Sequence, residues 1–213
     1  MRPPDSWQRA RLTLGIGGLT AIAWLAVSML GLGDLAAVWA GFIPARLGGA
    51  GAGEPLAPLV LTPLTATLVH AGFIHLAFNL LILLFCGRPV ENILGWQALL
   101  ILYLVGAYAA AAGHYALDPS DAGPMVGASG SISAVLGAYA MLFGRNKVKV
   151  ASPTLALWLN ALWLAAAWIA LQVVVGFTFE TPGARIAIGA HIGGFLAGLL
   201  LAKPLLLFRY RRA

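Results

Sequence analysis

Charge is scarce in this chain. Asp, Glu, Lys and Arg make up 9% of its 213 residues, where an ordinary soluble domain carries about 25%. Hydrophobic residues reach 61%, more apolar surface than a core of this size hides, so much of it faces lipid. Cysteine is nearly missing as well. The single Cys86 excludes an intrachain disulfide and a cysteine-based metal cluster, and its apolar neighbours make it read as an inert core thiol. The alternation that marks a membrane β-barrel is absent, because the apolar runs are continuous and rich in Leu, Ala and Gly. Repeats and low-complexity tails are absent too, and no motif implies a metal or an organic cofactor. The chain reads as an all-α membrane protein, with residues 1–213 forming one transmembrane domain and no room for a second, soluble one.

Six apolar runs are candidates to cross a bilayer, near residues 12–32, 72–90, 96–116, 128–143, 155–177 and 185–208. The fourth is short of the roughly 20 residues that a spanning helix needs. The first follows basic residues but exceeds a signal-peptide core and lacks a convincing small-residue cleavage site, so it is expected to persist as a helix. Six spans put both termini on one side. Arg2, Arg9, Arg11, Arg88, Arg145, Lys147, Lys149, Lys203, Arg209, Arg211 and Arg212 all fall on that side, leaving Arg46 and Arg185 opposite. By the positive-inside rule that face is cytoplasmic. The pI near 10.0 is therefore a topology signal and does not ask for a nucleic-acid partner; the basic termini suit contact with anionic lipid head groups of the bilayer. The charge bias and the absence of a transit-peptide pattern favour a bacterial inner (cell) membrane. The loop from Gly33 to Ala71 is long for a bundle, carries Pro44, Pro55, Pro58 and Pro63, and turns strongly apolar from Leu56 to Val69. Irregular backbone of that kind must pack on protein or meet water, so it is expected at the interface or against the bundle.

Polar side chains inside a membrane are costly unless partnered, which makes them the first functional candidates. Three groups stand out. His75 and Asn79 lie four residues apart, on one helix face. Two such donors converging on a cavity can hold the negative charge that develops on a carbonyl oxygen; taken singly, the pair fits interhelical hydrogen bonding better. Gly127-Ala128-Ser129-Gly130 opens the short fourth helix. Its glycines leave the serine hydroxyl reachable, and a helix start offers unpaired N–H groups. Ala190-His191 begins a small-residue stripe through Gly194 and Gly198, which matches Gly130, Ala134 and Ala138 and permits close helix contact. If the stripes face each other, His191 arrives beside Ser129, where a neutral imidazole can take the serine proton. All three groups fall toward the non-cytoplasmic side. Together they supply a nucleophile, a base and oxyanion donors, the set required for acyl transfer. No Asp or Glu lies inside a span near them, so the arrangement would be a dyad. His114 and Gln172, isolated in or near spans, read as interhelical contacts.

In these residues the chain resembles the rhomboid intramembrane serine proteases, across all six runs. The family's His-x-x-x-Asn matches His75 and Asn79, its Gly-x-Ser-Gly matches Gly127 to Gly130, and its Ala-His-x-x-Gly-x-x-x-Gly matches Ala190 to Gly198. The resemblance implies a six-helix bundle with a catalytic Ser129–His191 dyad. It also implies an oxyanion site from the Ser129 N–H with His75 and Asn79. It assigns His70 and Glu91 structural roles, and makes the transmembrane helices of other proteins the substrates. Oligomeric state is left open. Two positions depart from the family pattern. Many members carry Trp-Arg in the first loop where Leu61-Thr62 stand here, which bears on how that loop is anchored. Several place an aromatic one turn after the nucleophile, against the histidine. Ser133 stands there, so either the imidazole is held less firmly or Ser133 bonds it.

Two other readings use the same residues. A catalytically silent relative that binds transmembrane helices without cutting them usually lacks the serine or the histidine, and both are present here. A small transporter or channel would use the polar residues as a permeation path and would show no covalent labelling of Ser129.

Overall fold

The computed structural model describes residues 6–51, 53–143, 152–179 and 187–211. The expected loop cations Arg145, Lys147 and Lys149, with Arg2, Arg185 and Arg212, lie outside those residues, as does the side chain of Gln172. The described chain is helical: α1 (Arg11–Met29), α2 (Gly33–Ala40), α3 (Leu59–Leu68), α4 (Phe73–Leu94), α5 (Trp96–Leu117), α6 (Ser129–Phe143), α7 (Pro153–Phe179) and α8 (Ile188–Tyr210). Among the described residues the only β pairing is an isolated bridge between Phe42 and Met125. Five helices among the described residues are long and apolar enough to cross a membrane: α1, α4, α5, α7 and α8. The remaining expected run, the fourth, is the shorter α6, whose 15 residues reach about 22 Å at 1.5 Å per residue, less than a hydrocarbon core of about 30 Å.

The short helix sits at the centre. Every residue of α6 from Ser129 to Ala138 is buried, and α5 and α8 flank it at backbone distance. Between helices in lipid there is little hydrophobic drive, so close packing of small residues takes its place. A Cβ on Gly194 would run into the Gly130 carbonyl, and one on Gly198 into that of Ala134. The two stripes read from the sequence therefore meet. A second seam, not anticipated, joins α5 to α8, where Gly113 faces the Gly189 carbonyl and Gly193 faces that of Ala109. Large apolar side chains point outward instead, among them Ile22, Met29, Leu162, Trp163, Leu200 and Phe208.

At the end of the bundle away from Ser129, α4 widens into a π-helical turn over Leu83–Gly87. Pro89 follows two residues after Gly87; it cannot donate to the ladder and its ring crowds the carbonyl one turn back, and a widened turn absorbs both. The buried Glu91 then meets the start of α1. Its carboxylate accepts the N–H of Leu12 at 2.9 Å, the N–H of Thr13 at 2.8 Å and the Thr13 hydroxyl at 2.7 Å. Helix α1 has no side-chain cap of its own, so Glu91 supplies acceptors to first-turn donors that a helix leaves unpaired.

The long loop after α1 lies on the bundle, as its apolar composition demands, with Thr62, Pro63, Ala66 and Thr67 buried. Part of it is more regular than expected: residues read as loop form α2, where Asp34 in the first turn suits a helix N-terminus. Leu61 stays exposed and Thr62 bonds locally to Leu59. Other contacts anchor the loop: Arg46 donates to the Ala57 carbonyl at 3.0 Å, Thr65 to that of Ala40 at 2.7 Å, and Tyr108 of α5 to that of Val60 at 3.0 Å.

Candidate active site

Ser129 is the first residue of α6, so its N–H belongs to the turn that a helix cannot pair internally. Gly127, two residues earlier, has φ +109°, a left-handed conformation open to glycine and strained for other residues. Side-chain space is also missing there: a Cβ on Gly127 would lie 2.7 Å from both Cε1 and Nε2 of His75. The close approach brings the His75 ring over the strand of backbone that delivers Ser129. Two hydrogen bonds to the segment between α1 and α4 fix the same backbone. The Gly127 N–H donates to the Ala66 carbonyl at 2.9 Å, and the Ala128 N–H donates to Nε2 of His70 at 3.4 Å. His70 must be neutral at Nε2 to accept. Burial, and secondarily the neighbouring His75, lower its pKa from 6.5 to about 3. The rings of His70 and His75 meet edge to face, with centroids 5.0 Å apart.

Asn79 is buried one turn below His75. Its amide nitrogen donates to the His75 carbonyl at 2.9 Å, so one amide hydrogen is turned back along α4 and the second remains to be used. Its Oδ1 has no partner among the described residues. His75 and Asn79 thus share one face of α4, with the His75 ring against Gly127.

His191 enters from the first turn of α8. The stripe contacts at Gly194 and Gly198 hold α8 against α6, and Nε2 of His191 lies 2.9 Å from Oγ of Ser129. Both side chains are buried. An imidazole at that distance from a hydroxyl is placed to accept its proton.

Ser133 does not bond His191 in the way the sequence left open. Its hydroxyl donates to the Ser129 carbonyl at 2.7 Å and accepts the indole N–H of Trp168 at 2.7 Å. The Trp168 ring faces His191, with centroids 6.1 Å apart and planes at 57°. Trp168 was not among the candidates. Its signal was a tryptophan in the middle of α7, where membrane tryptophans usually gather at the interfaces. His114, read as an interhelical contact, instead pairs with Asp121 in the following loop, at 3.3 Å. Glu91, on α4, lies at the far end of the bundle, bonded to the start of α1.

A rhomboid domain family model matches residues 59–208. The rhomboid protease GlpG of Pectobacterium atrosepticum is 31% identical over 63% of this chain and 45% of its own length. The rhomboid protease GluP of Bacillus subtilis is 30% identical over 67% of this chain and 25% of its own. RHOMBOID-like protein 5 of Arabidopsis thaliana is 31% identical over 65% and 42% respectively. The match thus takes in less than half the length of each of these relatives. Its helices, its membrane-length apolar spans and this match agree that the chain is an integral membrane protein belonging to the rhomboid family.

Proposed function

We propose that this protein is an intramembrane serine endopeptidase in which Ser129 is the nucleophile and His191 its base. The observation that carries the reading is the 2.9 Å approach of His191 Nε2 to Ser129 Oγ, buried at the start of α6 and α8. In the proposed reaction Ser129 Oγ attacks a substrate carbonyl carbon as its proton passes to His191 Nε2. The tetrahedral oxyanion takes hydrogen bonds from the Ser129 N–H, His75 and the second amide hydrogen of Asn79. Collapse breaks the C–N bond, and His191 returns the proton to the leaving amine. Water then repeats the sequence on the acyl-enzyme, again with His191 as base.

The substrates in this reading are transmembrane helices of other proteins, entering from the bilayer. A helical peptide bond is shielded by its own hydrogen bonds, so cleavage is expected where small or helix-breaking residues ease local unwinding. The short α6 supports a nucleophile set below the membrane surface, near the end opposite Arg88 and Arg209. With that basic end cytoplasmic, in a bacterial inner membrane, cleavage falls toward the outer face. Cleavage confined to the cytoplasmic end of substrates would reverse this orientation.

The test is covalent labelling in detergent by a fluorophosphonate serine-hydrolase probe, comparing wild type with Ser129→Ala and His191→Ala. Labelling of wild type that both variants lose is the expected result. Folded wild type that resists several probe chemistries would overturn the protease reading and make the chain a silent helix-binding relative.

A further inference from the structure

We propose that Trp168, seated on Ser133, is the positioning residue that holds the His191 imidazole in line with Ser129. This rests on the protease reading above. It starts from the hydrogen-bonding capacity of the groups. An indole N–H donates and cannot accept, while a serine hydroxyl has one hydrogen to give and lone pairs to receive. With Ser133 Oγ 2.7 Å from both the Ser129 carbonyl and the Trp168 nitrogen, only one arrangement uses both contacts: Trp168 donates to Ser133, and Ser133 donates to Ser129. The hydroxyl hydrogen is spent on the nucleophile's own backbone, so Ser133 has none left for His191.

What reaches His191 is the indole ring. The centroid separation of 6.1 Å and the tilt of 57° fall in the range of favourable aromatic pairs. Ser133, Trp168 and His191 are all buried. An imidazole bonded to Ser129 through Nε2 can still swing about its side-chain torsions, and a wall against the ring limits that swing. Because Ser133 ties the wall to the Ser129 carbonyl, the ring and the nucleophile share one frame. The arrangement draws on three helices: α6 supplies Ser129 and Ser133, α7 supplies Trp168, and α8 supplies His191. Its function is alignment, which governs rate far more than affinity.

The experiment measures fluorophosphonate inactivation of the full chain in detergent, separating the saturating rate constant from probe affinity. Variants are Trp168→Ala, Trp168→Phe and Ser133→Ala, with the exposed Trp163→Ala as a control. Trp168→Ala is expected to lower the saturating rate about tenfold or more at unchanged affinity. Trp168→Phe, which keeps a ring against His191, should recover most of that loss, Ser133→Ala should fall between, and Trp163→Ala should match wild type. Wild-type rates in folded Trp168→Ala would overturn the proposal, as would a loss that Trp168→Phe fails to relieve. If Trp168→Ala does not fold, Ser133→Ala decides: an unchanged rate overturns the proposal. A wild type that never labels sinks the protease reading and this proposal together, whereas labelling indifferent to Trp168 and Ser133 sinks this proposal alone.

Discussion

Nε2 of His70, on the loop that precedes α4, accepts a hydrogen bond from the Ala128 N–H, one residue before Ser129. The loop and the start of α6 at Ser129 are therefore one mechanical unit, and the joint works only while His70 is neutral. In the unfolded chain His70 takes a proton near 6.5, but in the fold it resists protonation down to about 3. Within that window the unfolded state binds more protons than the native one, so acid drains stability from the fold. Stability should be full above about pH 6.5 and decline as pH falls toward about 3. His70→Gln, which keeps an acceptor and removes the titration, should show a shallower acid dependence of the thermal unfolding midpoint in detergent. Equal slopes for the two proteins would refute the assignment.

Gly127→Ala combines a strained φ with a methyl group in the space of the His75 ring. The backbone strain alone costs about 1–3 kcal/mol. Misplacing the oxyanion side of a site by about 1 Å lowers rates by about 100-fold. The expected outcome is a folded but weakened protein whose probe labelling drops by that order. Labelling at the wild-type rate would mean that His75 and Gly127 are not part of the reacting geometry.

Asn79→Ala deletes one proposed oxyanion donor. Loss of such a donor costs about 100- to 1,000-fold in kcat, and KM should change little because the interaction grows in the transition state. Steady-state cleavage of a transmembrane substrate checks this. A large rise in KM at constant kcat would instead assign Asn79 to ground-state binding.

Glu91→Ala leaves the Leu12 and Thr13 N–H groups without their acceptor. Unpaired buried donors of this kind cost about 1–3 kcal/mol each, so a clear drop in thermal stability is expected. Glu91→Gln, which retains one carbonyl oxygen, should lose less. Activity per folded molecule should stay near wild type in both, since the cap lies at the opposite end of the bundle from Ser129. Selective loss of activity without loss of stability would contradict this placement.

Much of this architecture is legible in one dimension because lipid imposes a simple rule. A helix that must satisfy every backbone group internally shows as a long apolar run, which is why 96–116 was read almost as the observed Trp96–Leu117. Stripes such as Ala190, Gly194 and Gly198 are legible for a related reason. Only small side chains let two backbones touch, and a four-residue spacing puts them on one helix face. The same spacing brought His75 to the face it shares with Asn79. Less regular elements were harder to see. Helix α2 hides in a segment of ordinary composition between glycines, and its boundaries depend on packing against the rest of the loop.

The residues of the proposed reaction were thus named by local pattern: Ser129 by its glycines, His191 by its stripe, His75 and Asn79 by their shared face. Their mutual positions depend on contacts that no local pattern encodes. The 2.9 Å between Ser129 and His191 exists because Gly194 and Gly198 admit the carbonyls of Gly130 and Ala134, a relation between residues some sixty positions apart in the chain. In the sequence, Ser133 in place of the family's aromatic left two readings open, a less firmly held imidazole or a bond from Ser133 to it. In the fold, the short hydroxyl makes room for an indole from another helix and gives its N–H a partner. Helix periodicity is a property of neighbours along the chain and can be read there, whereas the filling of a shared space by side chains from three helices is settled only when the helices pack.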